Sequence, residues 1–357
     1  MNTNVVLTET HVKSFNNYYE VIPGFKFNNI ATYSTYQEFR NQSTTFKLSK
    51  YFFIIRKLVS IFQETNKQLL YTNDFQVLFF SLWVKKLFKQ KKVTLIYHQF
   101  ELIELNNLNK LNKFFYSYVL KKANTIDLVV FPEINRLNYF MNDSTLEKEK
   151  AFILPNSCQS ISIVEQEKHP TLEQFPKDVF IIAHLGNVGG NQHYYNNFIA
   201  AIEQLKEHKK IIFVFLGRKN KMIEETINTK HLPNLFFLDP VPHEELTQIY
   251  PFIDIGVILY KGTSPNYEFC APNKLYELWS NGVPVISHQL KGLTPLFDDN
   301  KKGILTNFND IDEITTAIIK CSEIKENKND LIQIFKEELS IDISLKLFEK
   351  KLTTLIN

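Results

Sequence analysis

Short apolar runs alternate with amphipathic stretches along almost the whole chain. In the first half Asn4–Leu7, Asn29–Tyr33, Gln68–Tyr71, Val93–Tyr97, Ile126–Phe131 and Ala151–Leu154 read as strands. Between them Leu48–Phe62, Phe75–Phe88, Leu111–Ala123 and Glu133–Met141 carry apolar residues at helical spacing. A polar stretch, Gln159–Pro176, contains Pro170 and Pro176 and interrupts the pattern. The rhythm then resumes. Val179–Ala183, Ile211–Leu216, Leu235–Leu238, Ile255–Leu259 and Ile304-Leu305 read as strands, and Phe198–Glu207, Lys221–Thr229, Glu244–Tyr250 and Ile311–Glu323 as helices. From Lys328 to Asn357 the pattern is helical throughout. Strands that alternate with helices imply parallel sheets covered on both faces, so the expected class is α/β with two Rossmann-like domains.

Composition sharpens this picture in three places. A chain of 357 residues with 44% apolar residues is long enough for two ordinary domains, and 31 Phe and 16 Tyr make the cores rich in aromatic rings. Three widely spaced cysteines, Cys158, Cys270 and Cys321, argue against a disulfide framework or a zinc cluster and suit a reducing cytoplasm. The beginning, MNTNVVLTETHVK, lacks the basic-then-apolar layout of a signal peptide, and no run of about 18 apolar residues is present, so no membrane span is expected.

The net charge of +3 hides an asymmetry: residues 1–150 carry +8 and the remainder −5. Nine of the ten glycines lie after residue 180. The first half is a basic surface, and the glycines able to cradle an anion are in the second. The stretches Lys47–Phe62, Phe75–Lys92 and Lys110–Lys122 set aromatic residues beside lysines, a pattern that suits docking on an anionic membrane surface. The same residues could equally pack a core and solvate it. No strong nucleic-acid motif accompanies the basic half.

The most informative segment is Ala271–Ile286, APNKLYELWSNGVPVI. Pro272 suits the first turn of a helix, Lys274 and Glu277 fall on one helix face, Asn281-Gly282 can end the helix, and Val283–Ile286 reads as a buried strand. Such a helix can offer N–H groups and a cation to a phosphate, and a carboxylate to a sugar diol. An ordinary amphipathic helix between two strands would share the pattern. A second candidate is Leu185–Asn191, where Gly186, Gly189 and Gly190 follow a strand and precede a helix. Its backbone N–H groups could receive a diphosphate. No H-E-x-x-H, C-x-x-C or clustered His/Cys set is present, which argues against a bound metal, and no G-x-S-x-G elbow is present.

The segment around Lys274 and Glu277 resembles the P-x-K-x-x-E … G-x-P-V motif of the retaining GT-B glycosyltransferases of family 4. The resemblance is specific over Ala271–Ile286, extends over Val179–Ile319, and is thin in the first half. It implies a GT-B fold, two Rossmann-like domains facing across a cleft. The expected boundaries are an acceptor-side domain at 1–158, a linker at 159–177, a nucleotide-sugar domain at 178–335 and a final helix at 336–357 crossing back to the first domain. It further implies that Glu277 holds the ribose of a nucleoside-diphosphate sugar, with Asn273 beside it. Gly186, Asn187, Gly189 and Gly190 match the family's G-N-[IV]-G loop, and the loop holding Val241 binds the base through backbone groups.

The family's diphosphate Arg and Lys have no counterpart between Gly186 and Leu205, which leaves Arg218 and Lys274 as the cations. Glu268 stands one residue from the family's first glutamate, whose position is Phe269. In the first half Tyr97–Leu102 matches the D-x-x-H-E region, with His98 near the acidic position, Phe100 replacing the His and Glu101 matching the Glu. Glu133 and Asn156 also fall on family-like positions, and Asn73-Asp74 form a weaker rim candidate.

The implied activity is metal-independent, cofactor-free transfer of a sugar, with retention, from a nucleoside-diphosphate sugar to a sugar or lipid-linked acceptor. The implied setting is bacterial surface polysaccharide synthesis, in the cytoplasm or on the inner face of the cell membrane. His98, Glu101 and Lys274 are the catalytic candidates. The alternative is an inactive GT-B-like binding or partner subunit, which the missing Arg/Lys pair and Phe100 favour. A GT-B-shaped epimerase would need a matched acid and base that the sequence lacks.

Overall fold

The computed structural model describes residues 3–8, 25–31, 44–63, 68–88, 93–160, 167–176, 178–187, 190–218, 225, 230–297, 301–323 and 328–356. The chain forms two compact units, Met1–Pro155 with Leu345–Asn357, and Asn156–Ser344.

The first unit is built on a six-stranded parallel sheet: β1 Thr3–Thr8, β2 Phe25–Ala31, β3 Gln68–Thr72, β4 Val93–His98, β5 Leu128–Phe131 and β6 Ala151–Ile153. Their order is β2-β1-β3-β4-β5-β6. Among the described residues, helices α1 Thr44–Gln63, α2 Phe75–Leu87, α3 Lys110–Lys121 and α4 Ile134–Asn142 lie between or beside these strands in the chain. The second strand therefore starts earlier than the expected Asn29, since Phe25 already pairs with Thr3. The junctions are fixed by caps. Asp74 accepts hydrogen bonds from the N–H groups of Gln76 (2.6 Å) and Val77 (3.2 Å) and so starts α2. Glu133 does the same for α4 through the Arg136 N–H at 3.0 Å. Asp74 and Glu133 are thus helix caps.

The second unit is a second six-stranded parallel sheet: β7 Phe180–Leu185, β8 Ile211–Leu216, β9 Leu235–Leu238, β10 Ile255–Ile258, β11 Val285–His288 and β12 Gly303–Thr306. The order β12-β11-β10-β7-β8-β9 is the doubly wound arrangement, with its switch point between β7 and β10. Helices α5 Tyr195–Gln204, α6 Asn273–Ser280, α7 Ile311–Glu323 and α8 Lys328–Ile334 follow in the chain. Burial of β8 on every residue shows why the pattern there is a continuous apolar run. The stretch expected as a linker contributes to this unit: Leu172 and Phe175 are buried in its core.

The carboxyl-terminal region is broken where the sequence reads as one helix. A π-helical turn at Phe335–Leu339 and extended Ser340 separate α8 from α9, Ile341–Ile356. Residues from Leu345 onward belong to the first unit, where Phe348 is fully buried against Phe152 and Lys351 donates to the Glu149 carbonyl. No described helix is long and apolar enough to cross a membrane.

Candidate functional site

In open α/β sheets ligands collect beyond the carboxyl ends of the strands at the switch point. In the second unit that point is where β7 and β10 end, and the loops there are tied together. Tyr194 N–H donates to the Leu259 carbonyl (2.7 Å) and Lys261 N–H to the Gln192 carbonyl (2.9 Å). His193 and Tyr260 form an isolated bridge.

Two glycines let the β7 and β8 ends meet. Gly186 has φ +116° and Gly217 φ +150°, both in the region that favours glycine. A β-carbon on Gly217 would collide with the Gly186 carbonyl, and one on Gly186 would collide with the Lys274 ammonium. The Lys274 cation therefore rests on the first glycine of the loop. Gly190, φ +111°, also needs its missing side chain for conformation. Asn187 is exposed, but its carbonyl is held by the Tyr195 hydroxyl at 2.5 Å. That hydroxyl also stands 2.9 Å from Nε2 of His184, whose Nδ1 donates to the Val257 carbonyl. Gly189, with Val188, lies outside the described residues.

Helix α6 carries the motif. Pro272 is its extended cap residue rather than part of its first turn, and Gly282, φ +70°, ends it. The strand that follows begins at Val285, one residue beyond Pro284, whose carbonyl accepts from Gly256. Asn273, the first helical residue, is exposed. Asn156, a family-like position, donates to the Ala271 carbonyl at 2.9 Å and steadies the approach to α6.

Lys274 and Glu277 lie one helical turn apart, and both are half-buried. Burial lowers the Lys274 pKa, and Glu277 partly offsets this. His184 and His193 are lowered to about 4, by burial first and by the Lys274 charge second. Both imidazoles are therefore neutral at pH 7, and positive charge at this point of the loop is carried by the lysine. Glu277 has a partner at each oxygen. Tyr250 donates to Oε2 at 2.5 Å, and Nε2 of His243 stands 3.3 Å from Oε1. Arg218, next after Gly217, is exposed. Val241 is partly buried against the second core, in the loop after β9. Glu268 ends a short helical turn, Pro265–Glu268, with its carboxylate against Gly262 and 3.9 Å from Lys291.

His98 and Glu101 stand in the first unit, at the end of β4 and just after it. His98 is buried, its Nδ1 2.5 Å from the Tyr71 hydroxyl and its ring 3.9 Å from that of Phe100. Burial alone lowers it to about 3, so it is a neutral imidazole. Glu101 is exposed and 3.9 Å from Arg136, whose guanidinium also donates to the Phe100 carbonyl.

Sequence reasoning gave no role to Tyr250, Tyr195 or Gly217, and reached His243 only as the end of the candidate loop Leu238–His243. Only Gly217 carried a local signal, a glycine immediately after an apolar run.

The second unit is thus a doubly wound sheet with a lysine-backed glycine loop and a carboxylate one helical turn from that lysine. The chain matches the structure of Anabaena Alr3699/HepE in complex with UDP at 14% identity and a TM-score of 0.74, covering 99% of this chain and 100% of that one. The same protein in complex with UDP-glucose matches at 14% identity and 0.71, over 98% and 99% of the two chains. The apo form of the lipopolysaccharide outer core galactosyltransferase WaaB matches at 12% identity and 0.66, over 99% of each. These likenesses show the GT-B fold. Residues 179–323 match the family model described as Glycosyl transferases group 1. No curated protein sequence matches the chain significantly.

Proposed function

We propose that the chain is a glycosyltransferase that moves a sugar from a nucleoside-diphosphate sugar to an acceptor hydroxyl, with retention and without a bound metal. The observation that carries this is the Lys274 ammonium lying on Gly186 with Glu277 one turn further along the same helix. A diphosphate over the loop would meet a cation already in place, and a ribose would meet a carboxylate at a fixed offset from it. Arg218 supplies a second, exposed cation. Asn187, Gly189 and Gly190 provide the loop, Asn273 the exposed start of α6, and the backbone around Val241 an edge for the base.

In the reaction the bond from the sugar's anomeric carbon to the diphosphate breaks, and a bond to the acceptor oxygen forms on the same face. The acceptor proton passes to the departing phosphate oxygen. The protein's share is chiefly electrostatic, since Lys274 and Arg218 stabilise the negative charge that develops on the diphosphate. His98 and Glu101 are assigned to the reacting sugar. His98 would act as a neutral hydrogen-bonding group, and Glu101 as the carboxylate that solvent and ligand can reach. HepE was crystallised with UDP and UDP-glucose, which makes uridine nucleotides the first donors to test here.

The acceptor is assigned as a sugar or a lipid-linked saccharide used in building a bacterial surface polysaccharide, with the protein on the cytoplasmic face of the membrane. The first unit supports this placement. Helices α1, α2 and α3 together span 45 residues with nine Lys or Arg and no Asp or Glu. Phe52, Trp83, Leu87, Leu111 and Phe114 are exposed on them. Exposed aromatic and aliphatic side chains on basic helices suit an anionic lipid headgroup layer.

Calorimetry with UDP, GDP and their glucose conjugates, followed by assay of donor hydrolysis, tests the proposal. Binding with slow hydrolysis supports a transferase, binding without turnover for any donor supports the inactive partner subunit, and no binding refutes both.

A further inference from the structure

We propose that Tyr250 is a positioning residue for Glu277, fixing which carboxylate oxygen is presented to the ribose. This rests on the donor-site reading above and adds a residue to it. Tyr250 follows the 3₁₀ turn His243–Gln248, and its ring is buried in the second core, 3% exposed. Its hydroxyl has one proton, and that proton is directed to Oε2 of Glu277 at 2.5 Å. Burial first, and the neighbouring Glu277 carboxylate second, hold the phenol far above its usual range, so it stays a donor at every working pH.

The two partners of Glu277 differ in kind. Tyr250 is buried and packed on all sides. His243 is exposed, its side chain 76% accessible against 16% for Glu277, and it stands at the other oxygen. Oε2 is thus committed to the protein, and Oε1 faces a partner that a ligand can displace. A glutamate side chain has several rotatable bonds, and leaving it free would cost a diol the entropy of ordering it. With Tyr250 holding one oxygen, that ordering is complete before the nucleotide arrives, which is what preorganisation contributes to binding.

Removal of the hydroxyl alone, Tyr250→Phe, keeps the buried ring. The experiment measures affinity for UDP and for 2′-deoxy-UDP by calorimetry in the wild type, Tyr250→Phe and Glu277→Ala, with thermal melts to establish folding. GDP and 2′-deoxy-GDP replace the uridine pair if they bind tighter.

A hydrogen bond to a charged acceptor gives the wild type a preference of about tenfold or more for the ribonucleotide. Glu277→Ala abolishes that preference. Tyr250→Phe reduces it by roughly threefold or more, weakening the ribonucleotide more than the 2′-deoxy form, which keeps only its 3′-hydroxyl for the held carboxylate. Equal weakening of both nucleotides in Tyr250→Phe, or an unchanged preference, overturns the positioning role while the Glu277 result stands. An absent preference in the wild type, or one that survives Glu277→Ala, overturns the ribose site itself and this inference with it.

Discussion

The ammonium of Lys274 lies against the α-carbon of Gly186, in the space a side chain there would fill. Neither residue explains the other alone. The glycine is required by its φ of +116°, and the space its missing side chain leaves is where the lysine end lies.

A pair of glycine substitutions separates these effects. Gly217→Ala would drive a β-carbon into the rigid Gly186 carbonyl, and Gly186→Ala into the movable end of a lysine. Both incur the cost of a positive φ, about 1–3 kcal/mol. Gly217→Ala should therefore lower the melting temperature more, and Gly186→Ala should weaken nucleotide binding at a smaller cost in stability. Melting curves with calorimetry on both variants check this ordering.

Lys274→Met should leave the fold as stable as the wild type or slightly more stable. Burial disfavours the charged amine in the folded state, so removing it relieves a desolvation penalty. The same variant should bind a nucleoside diphosphate at least about tenfold more weakly, while its affinity for the free nucleoside is unchanged, because a charged hydrogen bond to the diphosphate is lost. Parallel titrations with UDP and uridine are the check.

Three histidines with lowered pKa values set an acid limit. His98 is lowered to about 3, and His184 and His193 to about 4, against an ordinary value of 6.5. Each folded-state pKa is depressed, so the unfolded chain binds protons first as the pH falls. The stability is fully present above pH 6.5 and is lost progressively below it, by at most about 1.4 kcal/mol per pH unit for each of the buried His98 and His184, and by less for His193, which solvent screens. Denaturant melts between pH 7 and 4.5 should show this loss, and His98→Gln should flatten the profile.

Vesicle binding should require anionic lipid and weaken with salt, since the basic face acts through charges that salt screens. Trp83→Ser with Phe114→Ser should reduce it further without changing nucleotide affinity. Co-sedimentation with vesicles with and without phosphatidylglycerol, at low and high salt, measures both effects.

What could be read from the sequence follows from how local each signal is. Helix α6 was legible because Gly282 and the 274/277 spacing act within one short segment. The parallel sheets were legible because buried strands such as β8 are unbroken apolar runs. The Tyr250–Glu277 bond joins residues 27 apart, and no periodicity links them. The apposition of Gly217 and Gly186 depends on β8 lying beside β7, which is a matter of topology. Asp74 and Glu133 looked like rim or motif residues, yet each sits at a strand-to-helix junction where an acidic side chain caps the first turn. His98 showed only its residue type, since its burial depends on the surrounding sheet.

The donor site stands or falls with the carboxylate of α6. Titration of UDP into the wild type and into Glu277→Ala is the most direct measurement. Binding is expected in the wild type and a loss of about 1–3 kcal/mol in the variant, with folding intact. Equal affinity in the two proteins would contradict it.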